Sequence, residues 1–183
     1  MSCNPAMGGI AKGQIIREID ALGGMSGIVT DRSMIQFRML NRSKGPAMWS
    51  PRAQCDRMLF SREWRKVLEN TANLGIWQEQ ANELIIEDQE VKGVRTTLGT
   101  ELFADAVILT NGTFLNGLMH VGFNTMSGGR SGDQASGGLS EQLRKMGFEV
   151  ERLKTGTSAR VDGRSIDFSV LTEQKGDGDG RCF

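Results

Sequence analysis

The stretch Ala106-Val107-Ile108-Leu109-Thr110-Asn111-Gly112 decides the fold class of this 183-residue chain. Its four consecutive apolar residues are typical of a short strand that is buried on both faces of a parallel sheet. The strand leads directly into a glycine turn, and open α/β sheets bind ligands at this carboxyl end of their strands. The sequence therefore predicts an α/β fold with a ligand site that includes Thr110 and Gly112.

The segment before this strand alternates between short apolar runs and turn-like stretches. Such spacing is typical of antiparallel hairpins, so residues 71–104 are predicted to form a β-rich segment. The strands predicted within it are Leu74–Glu79, Leu84–Glu87, Val91–Thr97 and Glu101–Phe103.

Further elements are predicted nearer the N-terminus. The stretch from Gln14 to Leu22 has one apolar helical face and is followed by two glycines that end a helix. The apolar run from Met34 to Leu40 predicts a strand. Ser50-Pro51 combines an N-cap residue with a first-turn proline, which predicts a helix from there to about Glu69.

The first thirteen residues combine a thiol with a turn and several glycines. Gly8 and Gly9 allow backbone N–H groups to approach a ligand closely, and a helix that begins here directs its positive end toward that ligand. A thiol at such a helix end ionises more easily. The pattern predicts a site for an electron-rich or anionic cofactor, with Gly8 and Gly9 as cofactor contacts and Cys3 as the catalytic candidate.

Residues 127–138 contain five glycines among serines and charged residues, which is typical of a loop that contacts a ligand. Arg130 and Asp133 are expected to pair and to hold this loop in place. A flexible surface loop is the alternative interpretation.

Composition narrows the function classes. Lys and Arg balance Asp and Glu at 22 each, and three cysteines with a single histidine disfavour a structural zinc site. No apolar run reaches the ~18 residues that a membrane span needs, and no secretory signal is present. The chain is expected to be cytoplasmic. The sequence shows neither a carboxylate pair nor a Ser-His-Asp set, which disfavours a hydrolase.

Charge is distributed unevenly within this neutral total. Residues 32–66 carry nine basic and two acidic side chains. Solvated faces of helices and loops are the favoured interpretation of this block, and contacts with phosphates are the alternative. The candidates for phosphate contacts are Lys44, Arg52, Arg57 and Arg62.

Several motifs in this order resemble the glucose-inhibited division protein A family (MnmG), whose members modify tRNA and depend on FAD. The resemblance covers nearly the whole chain. The motifs are Ser2-Cys3-Asn4-Pro5-Ala6-Met7-Gly8-Gly9, Gln36-Phe37-Arg38, Ser43-Lys44-Gly45-Pro46-Ala47, Arg52-Ala53-Gln54, Leu109-Thr110-Asn111-Gly112-Thr113-Phe114-Leu115, Ser127-Gly128-Gly129-Arg130-Ser131-Gly132-Asp133 and Arg152-Leu153-Lys154-Thr155-Gly156-Thr157.

The resemblance implies a Rossmann-like FAD-binding domain with an inserted antiparallel β segment. It also implies that FAD and NADH are used and that a GTPase partner subunit (MnmE) and a homodimer are involved. Such enzymes install a carboxymethylaminomethyl or aminomethyl group at C5 of the tRNA wobble uridine, with a carbon from methylenetetrahydrofolate. Carried over by position, Ala81 and Ser136 are FAD contacts. Cys3 is one of two functional cysteines, either beside the flavin or as a nucleophile toward C6 of the uracil.

Family members are several times longer and begin with a strand and a G-x-G-x-x-G loop, which this sequence does not contain. Residues 1–183 are therefore expected to be part of an FAD-binding domain, inactive alone, with a frayed tail at 174–183. Two alternatives are another flavoprotein oxidoreductase with two dinucleotide folds and a non-catalytic RNA-binding or protein-binding fragment.

Overall fold

A computed structural model describes residues 4–156, 161–178, 180 and 182–183 of the chain. The chain divides into two compact units. The first unit comprises the described residues of Met1–Ile76 and Gly156–Phe183, and the second unit is Trp77–Thr155. Both combine helices with small antiparallel sheets, so the predicted α/β class is confirmed in the form of a mixed fold.

The first unit is built around a three-stranded antiparallel sheet in the order β1-β3-β2. Short 3₁₀ turns cover Arg42–Lys44, Pro46–Met48, Gly163–Ser165 and Phe168–Val170. The main elements, in chain order, are β1 (Ala6–Gly8), α1 (Lys12–Ala21), α2 (Ser26–Ser33), β2 (Met34–Leu40), β3 (Ser50–Cys55) and α3 (Arg57–Glu69).

The core of this unit lies on one face of the sheet. Strand alternation directs Phe37 and Met39 of β2, and Ala53 and Cys55 of β3, to the same side, where all four are buried. The partly buried side chains packed against them are Met7, Met34, Phe60 and Phe183. Burial raises the pKa of the Cys55 thiol, because an apolar environment disfavours the thiolate.

The predicted strand from Met34 to Leu40 is confirmed, whereas the helix start at Ser50-Pro51 is wrong. These two residues begin β3, where the Pro51 carbonyl accepts a hydrogen bond from Gly9 N at 2.8 Å. Helix α3 instead begins after Asp56, whose Oδ1 accepts from Leu59 N at 2.8 Å as an N-cap. Pairing with two neighbouring strands outweighed the local capping signal.

The second unit holds a β4-β5-β6 antiparallel sheet, a β7-β8 hairpin and the short helix α4. Three of the four predicted strands are present, while residues 74–79 are irregular. The elements are β4 (Ala81–Glu87), β5 (Glu90–Thr96), β6 (Glu101–Phe103), β7 (Leu118–Val121), β8 (Asn124–Ser127) and α4 (Leu139–Lys145).

The strand predicted over residues 106–109 does not form, and Ile108 is 85% exposed. A strand of a parallel sheet needs hydrogen-bonded neighbours. None of the described strands pairs with residues 106–109, and every described sheet is antiparallel. The apolar run alone therefore does not produce a strand here.

The polar tail, for which composition predicts fraying, contacts β2 through its described residues. Asp177 Oδ2 accepts from Met39 N at 2.7 Å, and Asp177 N donates to Phe37 O at 2.8 Å. The Phe183 ring meets Phe37 edge to face, with centroids 6.0 Å apart.

Among the described residues, no helix combines the length and apolar character that crossing a membrane would require. The same residues contain no group of His, Cys, Asp or Glu side chains arranged to hold a metal ion.

Candidate functional site around Ala81 and Ser136

Two of the predicted cofactor contacts, Ala81 and Ser136, touch each other. Ser136 Oγ donates a hydrogen bond to Ala81 O at 3.0 Å, although 55 residues separate them along the chain. The preceding residues are joined as well, since Gln80 Nε2 donates to Ala135 O at 2.9 Å. Two hydrogen bonds thus join the start of β4 to the glycine-rich loop, which comprises residues 127–138.

A third segment joins this pair through the backbone of Ser136. Ser136 N donates to Phe114 O at 2.8 Å, and Asn116 N donates to Ser136 O at 2.8 Å, which makes an isolated parallel bridge between Leu115 and Ser136. Ser136 therefore uses its amide, its carbonyl and its hydroxyl to hold together the start of β4 and the loop at residues 114–116.

Helix α4 fixes the other end of the glycine-rich loop. Gln142 Nε2 donates to Leu84 O and Gln142 Oε1 accepts from Leu84 N, both at 2.7 Å. Asn116 Nδ2 donates to Glu141 Oε1 at 2.8 Å, and this hydrogen bond is the main reason that the pKa of Glu141 is lowered. Both contacts hold α4 against the segments that meet at Ser136.

Glycines allow the segments to approach this closely. Gly138 has φ +93°, and a Cβ at this position would overlap the carbonyl oxygen of Asn82 in β4. A Cβ on Gly129 would overlap the Phe114 ring. The expected pairing of Arg130 with Asp133 in the same loop is confirmed by an ion pair.

Asn82 carries the feature of this region most suggestive of a ligand. Its Oδ1 is buried and has no hydrogen-bond partner among the described residues. Asn82 follows Ala81 at the point where the register of β4 and β5 shifts. A buried acceptor without a donor is costly, so a ligand N–H or O–H at this point would be stabilising.

Thr110 and Gly112 lie in the exposed loop that precedes this contact region. Gly112 has φ +55°, and a Cβ there would meet no atom within 4 Å. Phe114 N donates to Asn111 O at 3.0 Å, so the turn leads directly into the segment that contacts Ser136. The roles of Thr110 and Gly112 as cofactor contacts remain predictions.

Gly8 and Gly9 belong to the first unit, where their positions have a packing explanation. A Cβ on Gly8 would overlap Pro51 O, and Gly9 N donates to that same oxygen at 2.8 Å. Ser50 Oγ also donates to Gly9 O. The two glycines thus bring the β1–α1 corner against β3, and their cofactor role remains a prediction. Cys3 lies outside the described residues.

Sequence reasoning missed Gln80, Asn82 and Gln142 as parts of this region. The signal for Asn82 was a small polar residue two positions before the apolar residues Leu84, Ile85 and Ile86 of β4. Nothing local marks Gln80 or Gln142, because their contacts are made with residues 55 and 58 positions away.

Comparison with known proteins identifies the family of the chain. The family model described as "Glucose inhibited division protein A" matches residues 1–183. The chain is 64% identical over 177 residues to the tRNA uridine 5-carboxymethylaminomethyl modification enzyme MnmG of Flavobacterium johnsoniae, covering 97% of this chain and 28% of that protein. It is 62% identical over 183 residues to the MnmG of Parabacteroides distasonis, covering 100% of this chain and 29% of that protein.

A solved structure shows the same fold. The form II crystal structure of Aquifex aeolicus GidA matches with a TM-score of 0.88 and 51% identity, over 97% of this chain and 29% of that one. The chain thus spans less than a third of the length of these relatives. The matches in sequence and in structure together place the chain in the glucose inhibited division protein A family.

Proposed function

We propose that this chain is part of an FAD-dependent enzyme that, with a GTPase partner subunit, installs a carboxymethylaminomethyl group at C5 of the tRNA wobble uridine. The observation that carries this proposal is the family match over residues 1–183. Relatives named as tRNA uridine 5-carboxymethylaminomethyl modification enzymes, at more than 60% identity, support the substrate and the reaction.

The residues around Ala81 fit a polar cofactor such as FAD. Asn82 Oδ1 is a buried acceptor that lacks a donor among the described residues, and the hydroxyl of Ser136, which donates to Ala81 O, can still accept a hydrogen bond. When bound, FAD supplies redox chemistry that amino-acid side chains lack. The protein's part is to fix the start of β4 and the glycine-rich loop on either side of the Ala81–Ser136 contact.

Other parts of the proposal rest on the resemblance or on sequence patterns. NADH would reduce the flavin, a homodimer would be the assembled form, and the reaction would take place in the cytoplasm. Cys3 would act either beside the flavin or as a nucleophile toward C6 of the uracil ring. Thr110 and Gly112 in the second unit are proposed as cofactor contacts from their strand-to-turn pattern, and Gly8 and Gly9 in the first unit from their glycine pattern.

A chimera tests the proposed reaction. This chain would replace the matched segment of the Parabacteroides distasonis protein, because that match covers all 183 residues without truncation. The chimera would be incubated with the GTPase subunit, GTP, FAD, NADH, methylenetetrahydrofolate, glycine as the source of the carboxymethylamino group, and unmodified tRNA. Mass spectrometry of the digested tRNA should then find the C5-modified uridine at a level close to that made by the parent. A folded chimera that leaves uridine unmodified would contradict the proposal.

A substitution tests the cofactor contact separately. Ser136→Ala in the chimera removes the hydroxyl beside Ala81 and should weaken FAD binding about tenfold, which corresponds to the loss of about one hydrogen bond. Equilibrium dialysis measures this affinity. Ser131→Ala, an exposed serine in the same loop, serves as the control and should leave it unchanged. Equal affinity in both variants would remove Ser136 from the site.

A further inference from the structure

Two motifs of the sequence mirror each other across the sheet of the first unit. The residues of Gln36-Phe37-Arg38 on β2 lie opposite those of Arg52-Ala53-Gln54 on β3, so that glutamine faces glutamine and arginine faces arginine. Phe37 and Ala53, at the middle of each motif, are buried in the core. Because side chains alternate along a strand, the two arginines and two glutamines share the opposite face.

The pairing of Arg38 with Arg52 is unfavourable by itself. Directly opposite residues have their Cβ atoms about 4.5–5.5 Å apart, and like charges at such positions destabilise a sheet. Both side chains are half-buried, which limits screening by water. Neither guanidinium has a carboxylate within ion-pair distance in the part of the chain that the structure describes.

Most of the hydrogen-bonding capacity of these two side chains is unused. Arg38 Nη1 donates to Gln174 Oε1 at 2.7 Å, and Arg52 Nη2 makes a long contact of 3.4 Å with Gln54 Oε1. Each guanidinium has five N–H donors. The described residues therefore leave several donors of both arginines without an acceptor from the protein.

Strand β1, which pairs with β3, has only small residues next to the arginine and glutamine face. On β1, Gly8 is the partner of Arg52 and Ala6 is the partner of Gln54. Gly8 has no side chain and Ala6 has only a methyl group, so neither can extend over the arginines. A ligand that reaches the two guanidiniums from this side meets no large side chain of β1.

We propose that Arg38 and Arg52 form a binding site for a phosphate group, with the amides of Gln36 and Gln54 beside it. A guanidinium binds two oxygens of one phosphate or carboxylate through a planar pair of N–H groups. Phosphate can present a separate pair of oxygens to each guanidinium and carries more negative charge than a carboxylate, whose two oxygens the guanidiniums would have to share. Its charge also removes the repulsion between the arginines. Gln36 Nε2 already donates to Gln174 O at 2.8 Å and Gln54 Nε2 to Asn4 Oδ1 at 3.2 Å, so each amide has one further N–H for the group that carries the phosphate. This site is built from residues of the first unit, and the inference does not depend on the proposed function.

Thermal unfolding with inorganic phosphate as the probe tests the site. The full chain would be unfolded in phosphate and in chloride of equal ionic strength, since a ligand that binds only the folded state raises Tm. Phosphate at about ten times its dissociation constant should raise the Tm of the unsubstituted chain by about 3 °C relative to chloride. Arg38→Gln and Arg52→Gln should each abolish this increase, and the double variant should behave like either single variant because both remove one site.

Matched variants distinguish phosphate binding from a nonspecific effect of charge and from a loss of stability. Arg17→Gln removes an exposed arginine of α1 and should keep the full phosphate effect. Arg52→Lys keeps the charge but loses the planar pair of donors, and should lose most of the effect. In chloride, Arg38→Gln should be at least as stable as the unsubstituted chain, because like-charge repulsion is relieved. An arginine with a purely structural role would instead lower the Tm in both salts when replaced.

Two further probes identify the source of the phosphate. A fluorescently labelled RNA pentanucleotide reports a phosphodiester, and unlabelled pyrophosphate reports a small-molecule ligand. If the RNA binds and Arg38→Gln and Arg52→Gln weaken it more than Arg17→Gln does, the ligand is a nucleic-acid phosphate. If only pyrophosphate and phosphate act, the ligand is a small molecule. The absence of a phosphate-specific Tm increase, or an equal increase in all variants, would overturn the proposal.

Discussion

Gln142 replaces a missing strand neighbour for Leu84. Both ends of its amide are engaged, with Nε2 donating to Leu84 O and Oε1 accepting from Leu84 N, each at 2.7 Å. One side chain thereby satisfies both backbone groups of a residue that is only 5% exposed. The contact also fixes helix α4 against β4, and with it the loop that contains Ser136.

Gln142→Ala should lower the free energy of unfolding by about 1–3 kcal/mol, because a buried donor and a buried acceptor lose their partners. Gln142→Glu keeps an acceptor for Leu84 N but has no donor for Leu84 O, so an intermediate loss is expected. Urea titration followed by circular dichroism measures both. Gln78→Ala, at an exposed position, should change stability by less than about 0.5 kcal/mol. Equal stability of the Gln142 and Gln78 variants would show that the contact between the Gln142 amide and Leu84 does not contribute to the free energy of unfolding.

Gly138 and Gly147 flank α4. Substitution of each by alanine compares backbone strain alone with backbone strain plus steric overlap. Both have positive φ, at +93° and +91°, but only a Cβ on Gly138 would overlap another atom, the backbone oxygen of Asn82. Gly147→Ala should therefore cost about 1 kcal/mol from backbone strain alone. Gly138→Ala should cost about 3 kcal/mol, because the β4 backbone cannot move freely. Denaturant unfolding of the two variants gives the difference, and equal losses would contradict the close approach of Gly138 to β4.

Asp177 joins the polar tail to the edge of β2. Its side chain is 17% exposed, accepts from Met39 N at 2.7 Å and pairs with Arg42 at 2.6 Å. Asp177→Ala should lower the free energy of unfolding by about 1–3 kcal/mol, since Met39 N loses its acceptor. Glu173→Ala is the control, because Glu173 is largely exposed and makes only a long ion pair. Limited proteolysis should also cut the tail faster in the Asp177 variant. Unchanged stability and cleavage would indicate that the tail does not hold this position.

Cys55 predicts a pH dependence of stability. Burial raises the pKa of its thiol in the folded chain, so the folded state keeps the proton at pH values where the unfolded thiol, with a pKa of about 8.5, releases it. The stabilising contribution is complete below the unfolded pKa and is lost as the pH rises through the folded pKa. Under reducing conditions, the free energy of unfolding should fall more steeply with pH above about 8.5 in the unsubstituted chain than in Cys55→Ala.

Cys182 provides the control for this measurement because it is an exposed thiol. Cys182→Ala should show the same alkaline loss of stability as the unsubstituted chain. If the free energy of unfolding of Cys55→Ala falls in parallel with that of the unsubstituted chain as the pH rises, burial of the Cys55 thiol does not cause the alkaline loss of stability.

Local patterns predicted the elements whose stabilising contacts are mostly short in range. The turn-separated runs that became β4, β5 and β6 were visible in the sequence, and each of these strands pairs with its neighbour along the chain. The glycine pair after α1 was also read correctly, since Gly24 N donates back to Ile19 O at 2.8 Å and ends the helix. Such contacts involve residues close in sequence, so residue type alone carries the information.

The errors concern elements whose state depends on distant partners. Ser50-Pro51 has the chemistry of a helix start, yet β1 and β2 pair with the residues around it and make a strand. Residues 106–109 have the composition of a buried strand, yet no described strand pairs with them. Local propensity amounts to a few tenths of a kcal/mol per residue, which a row of hydrogen bonds to a neighbouring strand readily exceeds.

The sequence by itself determined the family and the order of the hairpin strands β4, β5 and β6. Tertiary structure alone decided that Ser136 meets Ala81, that Gln142 holds Leu84, and that Arg38 stands opposite Arg52. The physical reason is that register and loop closure bring these residues together, although as many as 58 positions separate Leu84 from Gln142 along the chain. A shift of one residue in the register of β2 and β3 would end the pairing of the two arginines on one face.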